Sequence, residues 1–453
     1  MTVREVQSNC NFMSTLSRVV WKVSLPVILA GASETFLHVI DTIFLARVGV
    51  VELGALAIAD SVFLLSLVIP LSLVESLQIL ASRRAGQRKP ATVGAVFNLG
   101  FLAVLVICLA STFALKVFWP VAANWFVEPG AVGTAVGNYV QVAAYGIFFV
   151  CGSFAYSALL MSSGKTRALI PATMILAATS ISLCYALIFG KFGFPALGIR
   201  GAALGSLAAE AATFLFLTFY VLRAFDSSRY KLFRIRNLDW RTLRLLNRIS
   251  APIALQRALE VIRWFFFFVI LERVSTAALA IANVVYTCYI VFWIPTEGFS
   301  ETSYSLVSRF VGRNQPERIG ALLRDAIRGA LLATLPFLLV ALAAPRWFIA
   351  VFAPEWSLLA DGGASLRVVA LAMLIIIPGE MWFGAVLGTG DTVAALGIEL
   401  VMTVTMLGIA YLMAIPLAWP VERVWLSLPI AWAVCLLISY LWMKSRMWQR
   451  LQI

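Results

Sequence analysis

Apolar residues fall in runs of membrane length, separated by short clusters that gather the lysines, arginines, glycines and prolines. A helix needs about 20 mostly apolar residues to cross a bilayer. By that measure spans lie near residues 24–46, 54–80, 91–115, 132–160, 168–190, 201–222, 252–271, 278–307, 329–345, 367–387, 393–415 and 425–443. The pattern predicts an all-α polytopic membrane protein with twelve transmembrane helices. Met1 to Asn11 is polar and has no cleavage-site pattern before the first span, so that span reads as a retained helix and not as a secretory signal.

The two halves repeat. The shift that carries Ser24-Leu25-Pro26 onto Ser250-Ala251-Pro252 also carries Glu34 onto Glu260, Arg47 onto Arg273 and Glu75 onto Glu301. It takes Ser82-Arg83 onto Ser308-Arg309, Gly86 onto Gly312, and Gly164-x-Thr166 onto Gly390-x-Thr392. One offset kept over so many positions marks a duplication. With six spans per copy, both copies enter from the same side, which predicts two six-helix lobes related by a pseudo-twofold axis along the membrane normal. The expected organisation is a cytoplasmic tail (1–23), an N-lobe (24–222), a basic cytoplasmic linker (223–249), a C-lobe (250–443) and a cytoplasmic tail (444–453).

Composition sharpens this. At 62% hydrophobic and 13% charged residues, the chain lies far from soluble usage, where about 25% charged is normal. A net charge of +13 would suggest nucleic acid in a soluble protein. Here, with the amino terminus placed inside, most lysines and arginines fall on the cytoplasmic side, and both termini are cytoplasmic. The partners expected are membrane lipids and a small substrate, not nucleic acid. The basic linker would lie against anionic headgroups. Six dispersed cysteines (10, 108, 151, 184, 288, 435) show no paired spacing, and His38 is the only histidine, so neither a disulfide framework nor a histidine metal cage is expected.

Charges inside the spans carry the candidate chemistry, because each costs roughly 2.5–3.5 kcal/mol on insertion scales unless it is paired or wet. Glu34, His38 and Asp41 fall within about 60° on one helix face. In the second copy, Arg257 and Arg263 flank Glu260, and Glu297, Ser300, Glu301, Tyr304 and Ser308 share a face that should line a wet cavity. Glu75 and Glu380 are further acids, while Glu210 and Glu399 read as lone acids near span ends with structural roles. Trp264, Phe265 to Phe268, Trp293 and Trp382 offer aromatic surface for cation–π contact.

Val39-Ile40-Asp41-Thr42-Ile43-Phe44 with Gly49, the Gly86 and Gly312 loops, and the Gly164-Lys165-Thr166 and Gly390-Asp391-Thr392 turns resemble the multidrug and toxin extrusion (MATE) family, of the multidrug/oligosaccharidyl-lipid/polysaccharide exporter superfamily. The resemblance covers roughly residues 20 to 445. It implies twelve helices in two lobes and secondary active export of drugs or metabolites by antiport with protons or sodium through alternating access. It further implies a location in the bacterial inner membrane and a monomer. Asp41 stands where the family keeps its span-1 carboxylate, and Glu260 where one branch keeps a span-7 glutamate. Glu34 and His38 replace positions that are more often neutral amides. Another branch uses an Asn and an Asp in span 5; Ser180 and Cys184 stand there instead, which argues against a span-1/span-5 ion site. A span-10 aspartate would fall near Ile376, one turn before Glu380.

The ion-coupling set is therefore Asp41, Glu34, His38 and Glu260. The substrate cavity would be lined by Arg257, Arg263, Trp264, Glu297, Glu301, Tyr304 and Glu380. No cofactor is expected, and the coupling ion is a proton or a transient sodium ion at Asp41 or Glu260, with the cluster of titratable groups tilting towards protons. The two arginines keep an anionic or zwitterionic metabolite open as substrate, and a lipid-linked saccharide flippase of the same superfamily stays open as well. An enzyme is disfavoured: there is no paired-aspartate metal motif, second histidine or phosphate-cradling glycine loop.

Overall fold

A computed structural model describes residues 3–126, 130–234, 239–350 and 356–450, all helix and loop with no strand among them. Residues 1–2 and 451–453 of the expected tails lie outside the described residues. Twelve long helices follow one another: α1 (Val3–Ala46), α2 (Val50–Gly86), α3 (Pro90–Phe126), α4 (Ala131–Ser163), α5 (Leu169–Phe189), α6 (Ile199–Ala224), α7 (Trp240–Val274), α8 (Thr276–Gly312), α9 (Ile319–Ala343), α10 (Trp356–Gly388), α11 (Thr392–Ala414) and α12 (Ser427–Ser445). Each expected span has its helix, in order. Eleven of the described helices are long and apolar enough to cross a membrane. The long helix outside that set is α7, whose apolar part is interrupted by Arg257, Glu260 and Arg263.

The chain divides into two compact units, Leu29–Ala251 and Met1–Ile28 with Pro252–Ile453. The division therefore falls inside α1, two residues after Pro26. In the second unit the early part of α1 packs on α8: Trp21 meets Phe299 edge to face at 5.1 Å, and Gly298 lies so close to Ile28 that an added Cβ would come within 2.5 Å of its side chain.

Part of the stretch expected as a linker is docked. Helix α7 already begins at Trp240. Upstream, Asn98 of α3 gathers the backbone of residues 231–234. Its Nδ2 donates to the Lys231 carbonyl at 2.8 Å and the Arg234 carbonyl at 3.3 Å, and its Oδ1 accepts from Phe233 N–H at 2.7 Å. An amide side chain offers donors and an acceptor together, so one residue can satisfy backbone groups that the turn leaves open.

Two glycine pairs set the helix contacts that matter for the candidate site. In Gly201-Ala202-Ala203-Leu204-Gly205 the small residues, four apart, let α6 press against α5: a Cβ on Gly201 would meet the Leu187 carbonyl at 2.5 Å, and one on Gly205 would meet Cys184 Sγ at 2.6 Å. In the other unit Gly384 and Gly388 put α10 against α8, over Ser300 and Tyr304.

Candidate functional site

In the first unit, polar groups converge on the later part of α1 inside a core built from Leu45, Leu56, Ala59, Trp119, Val136, Val140, Cys184 and Ile188. Asp41 lies close enough to Cys184 of α5, Ser206 of α6, His38 and Asp60 for each to act on it. Cys184 Sγ is 3.8 Å from both Ser180 Oγ and Ser206 Oγ. Spans 1 and 5 thus meet near Asp41, with Cys184 on the span-5 side. The close α5–α6 approach at Gly205 brings the Cys184 thiol and the Ser180 and Ser206 hydroxyls together here.

The residue that the sequence reading passes over is Asp60. His38 Nδ1 lies 3.3 Å from Asp60 Oδ2, and the buried Tyr139 of α4 donates its hydroxyl to Asp60 Oδ1 at 3.4 Å. Asp60 follows the α1–α2 turn by ten residues and so reads, by position, as a span-end acid. The signal available was one turn of apolar residues on either side of it. The expected Glu34-His38-Asp41 stripe therefore resolves into separate partnerships: His38 turns to α2, Asp41 to α5 and α6, and Glu34 is exposed.

The second unit holds its own polar cluster. Arg263, 4% exposed, is ion-paired with Glu399 of α11, 5% exposed, whose Oε1 also accepts from Thr403 at 3.4 Å. Glu399 is not the lone span-end acid expected, because its partner lies on α7, far off in sequence. Glu260 and Tyr289 also act electrostatically on Arg263. Glu380 accepts from Ser300 Oγ at 2.7 Å and lies within electrostatic reach of Glu260, Glu297 and Glu399.

The expected α8 face splits. Ser300, Tyr304 and Ser308 are buried, on the ridge of every fourth residue that faces α10, whereas Glu297 is exposed and Glu301 half-buried. Tyr304 is 7% exposed, and its backbone lies against Gly388 of α10. Trp264 is buried in an aromatic group, with ring centroids 4.5 Å from Tyr286, 5.6 Å from Tyr289 and 6.3 Å from Trp425. Arg257 is half-buried on α7. Among the described residues no three His, Cys, Asp or Glu side chains are grouped to hold a metal ion.

The family model described as MatE matches residues 26–186 and again 252–412. The chain belongs to the MatE family. The two matched segments stand apart by the same shift that relates Pro26 to Pro252, so this MatE chain carries the family unit twice. It is 24% identical over 363 residues to the probable multidrug resistance protein NorM of Agrobacterium fabrum, covering 76% of this chain and 75% of the relative. To the Thermotoga maritima protein of that name it is 23% identical over 378 residues, covering 82% and 80%.

Among solved structures, an outward-facing multidrug resistance MATE family transporter of the MOP superfamily superposes with a TM-score of 0.88 at 18% identity, over 95% of this chain and 96% of that one. A MATE in a bent conformation gives 0.86 at 18%, over 96% and 97%. A MOP superfamily transporter from Pyrococcus furiosus, with a binding pocket of reverse polarity suggesting a different function, gives 0.85 at 18%, over 95% and 96%. This MatE chain is a multi-pass integral membrane transporter and not an enzyme.

Proposed function

We propose that the chain exports small organic cations of the multidrug type by antiport, with protons as the driving ion taken up at Asp41 and Asp60. The observation that carries this is the first unit's polar group: two half-buried carboxylates, an exposed imidazole and a buried phenol on α1, α2 and α4, at the edge of an apolar core. Such a group changes its charge one proton at a time, and like-charged carboxylates in one site compete for that proton. A ligand that binds one protonation state better shifts the population towards it, which is the thermodynamic content of exchange. In the second unit, Glu399 offsets the charge of Arg263, Glu380 lies within electrostatic reach of Glu260 and Glu297, and Trp264 packs with Tyr286 and Tyr289. Acids beside aromatic faces suit an organic cation, so the anionic substrate that two arginines alone would invite is disfavoured. The repeats at 24–222 and 250–443 serve as the two functional lobes, the protein works as a monomer in the bacterial inner membrane, and both termini are cytoplasmic.

Proteoliposomes with an imposed proton or sodium gradient, loaded with a fluorescent organic cation, test this. Accumulation driven by a proton gradient in the wild type should be lost in Asp41→Asn and cut in Glu260→Gln. Full gradient dependence in both variants would refute the coupling assignment. Sodium-driven accumulation would reassign the ion, and gradient-independent movement of lipid alone would support a flippase.

A further inference from the structure

Arg83 sits at the C-terminal end of α2 with 6% of its surface exposed, and its Nη1 atom is buried with no hydrogen-bond partner among the described residues. The charged neighbour acting on it is a like one, Arg84. Among the described residues no acidic side chain pairs with Arg83. Arg84 donates to the neutral amide oxygen of Gln87 at 3.2 Å, and Lys165 donates to the Ala224 carbonyl. Asp226 and Asp239 are exposed and cap their own turns: Asp226 accepts from Ser228 N–H at 2.9 Å and its hydroxyl at 2.7 Å, and Asp239 from Arg241 N–H at 3.0 Å and the Thr242 hydroxyl at 2.7 Å. A buried guanidinium is stable only when paired, and its planar fork matches the oxygens of a phosphate.

We propose that this end of α2 binds a phosphate-type oxyanion, with Arg83 as the buried anchor. Two sources share that chemistry, the headgroup of an anionic lipid and free phosphate. The site is independent of the transport reading above, since it needs no coupling ion or substrate.

Purified full-length protein tests it by native mass spectrometry with phosphatidylglycerol and phosphatidylcholine, alongside thermal unfolding with added inorganic phosphate. The wild type should retain phosphatidylglycerol over phosphatidylcholine, and Arg83→Gln should cut that retention about tenfold or more, the weight of one hydrogen bond to a charged group. Arg88→Gln, at an exposed arginine of the same turn, should leave it within about twofold, as expected for a screened surface charge. A midpoint raised by inorganic phosphate in the wild type but not in Arg83→Gln, with no lipid preference, supports the site and assigns the free anion. Equal losses in the Arg83 and Arg88 variants, or no response to either lipid or phosphate, overturn the proposal. Where Arg83→Gln does not accumulate, Arg83→Lys keeps the charge but loses the fork: weakened retention supports the site, and unchanged retention overturns it.

Discussion

Replacing Glu399 with leucine while Arg263 remains gives the sharpest test of the polar cluster in the second unit. Both side chains are almost fully buried and directly bonded. At a charge-assisted contact of about 2.8 Å, an effective dielectric of about 20 gives an attraction of about 6 kcal/mol. Desolvation of both ions cancels much of this, yet removing one partner strands the other, at about 3–5 kcal/mol. Glu260 also acts on Arg263 and offsets part of the loss, so Glu399→Leu should cost about 3 kcal/mol. Arg263→Met leaves Glu399, among the described residues, with the Thr403 hydroxyl at 3.4 Å, and should cost nearer to about 5 kcal/mol, the upper end of the same range. The double variant removes both charges and should return to within about 1 kcal/mol of the wild type. Unfolding measured in detergent at all four corners of the cycle reads this directly. If the two single losses simply add in the double variant, the side chains are not coupled and the reasoning fails. The folded double variant should also still move organic cations in proteoliposomes, since it leaves Glu260 and Glu380 in place.

Asp60→Asn should cut proton-driven cation exchange in proteoliposomes, because His38 and Tyr139 lose their shared carboxylate; exchange at the wild-type rate would remove Asp60 from the coupling group. Gly205→Val should wedge α6 from α5 at Cys184 and lower exchange along with stability by about 1–3 kcal/mol, and wild-type behaviour would mean that the close helix approach does not set the surroundings of Asp41. Asn98→Ala strips the hydrogen bonds holding residues 231–234, so limited trypsin digestion should cut faster after Lys231 and Arg234, and an unaltered rate would refute the docking. Ser228's hydroxyl and amide hold the Asp226 carboxyl below its ordinary 3.8. Because that value is depressed in the folded chain, the cap contributes above pH 3.8 and is lost as pH falls through the folded value. A carboxyl titration of Asp226 by isotope-edited infrared spectroscopy with a midpoint at or above 3.8 would contradict this.

Helix order was legible because bilayer-length apolar runs need no tertiary information, and the repeat because one offset suffices to find it. The first unit's site was half legible. Asp41 and His38 stand out as charges in an apolar run, whereas Cys184 and Ser206 are uncharged and acquire meaning only when α6 closes on α5. Asp60 lies near the start of its helix, where an acid is ordinary, and only the fold turns it towards His38 and Tyr139. Glu399 looked isolated for a different reason. Its partner Arg263 is separated from it by most of a repeat, and ion pairing at that range is fixed by packing rather than by local spacing. The α8 face failed as a single unit because a ridge of every fourth residue, with Gly384 and Gly388 facing it, draws Ser300 and Tyr304 into the helix contact and leaves Glu297 outside.

The division of α1 after Ile28 bears on how the chain is made. Trp21 and Ile28 find their partners on Phe299 and Gly298, and those residues emerge from the ribosome far later. At about 5–20 residues per second, the first helix synthesised waits roughly 15–55 s before α8 exists to receive it. During that interval the opening segment lacks its partners, and a later stage of assembly returns to an earlier part of the chain.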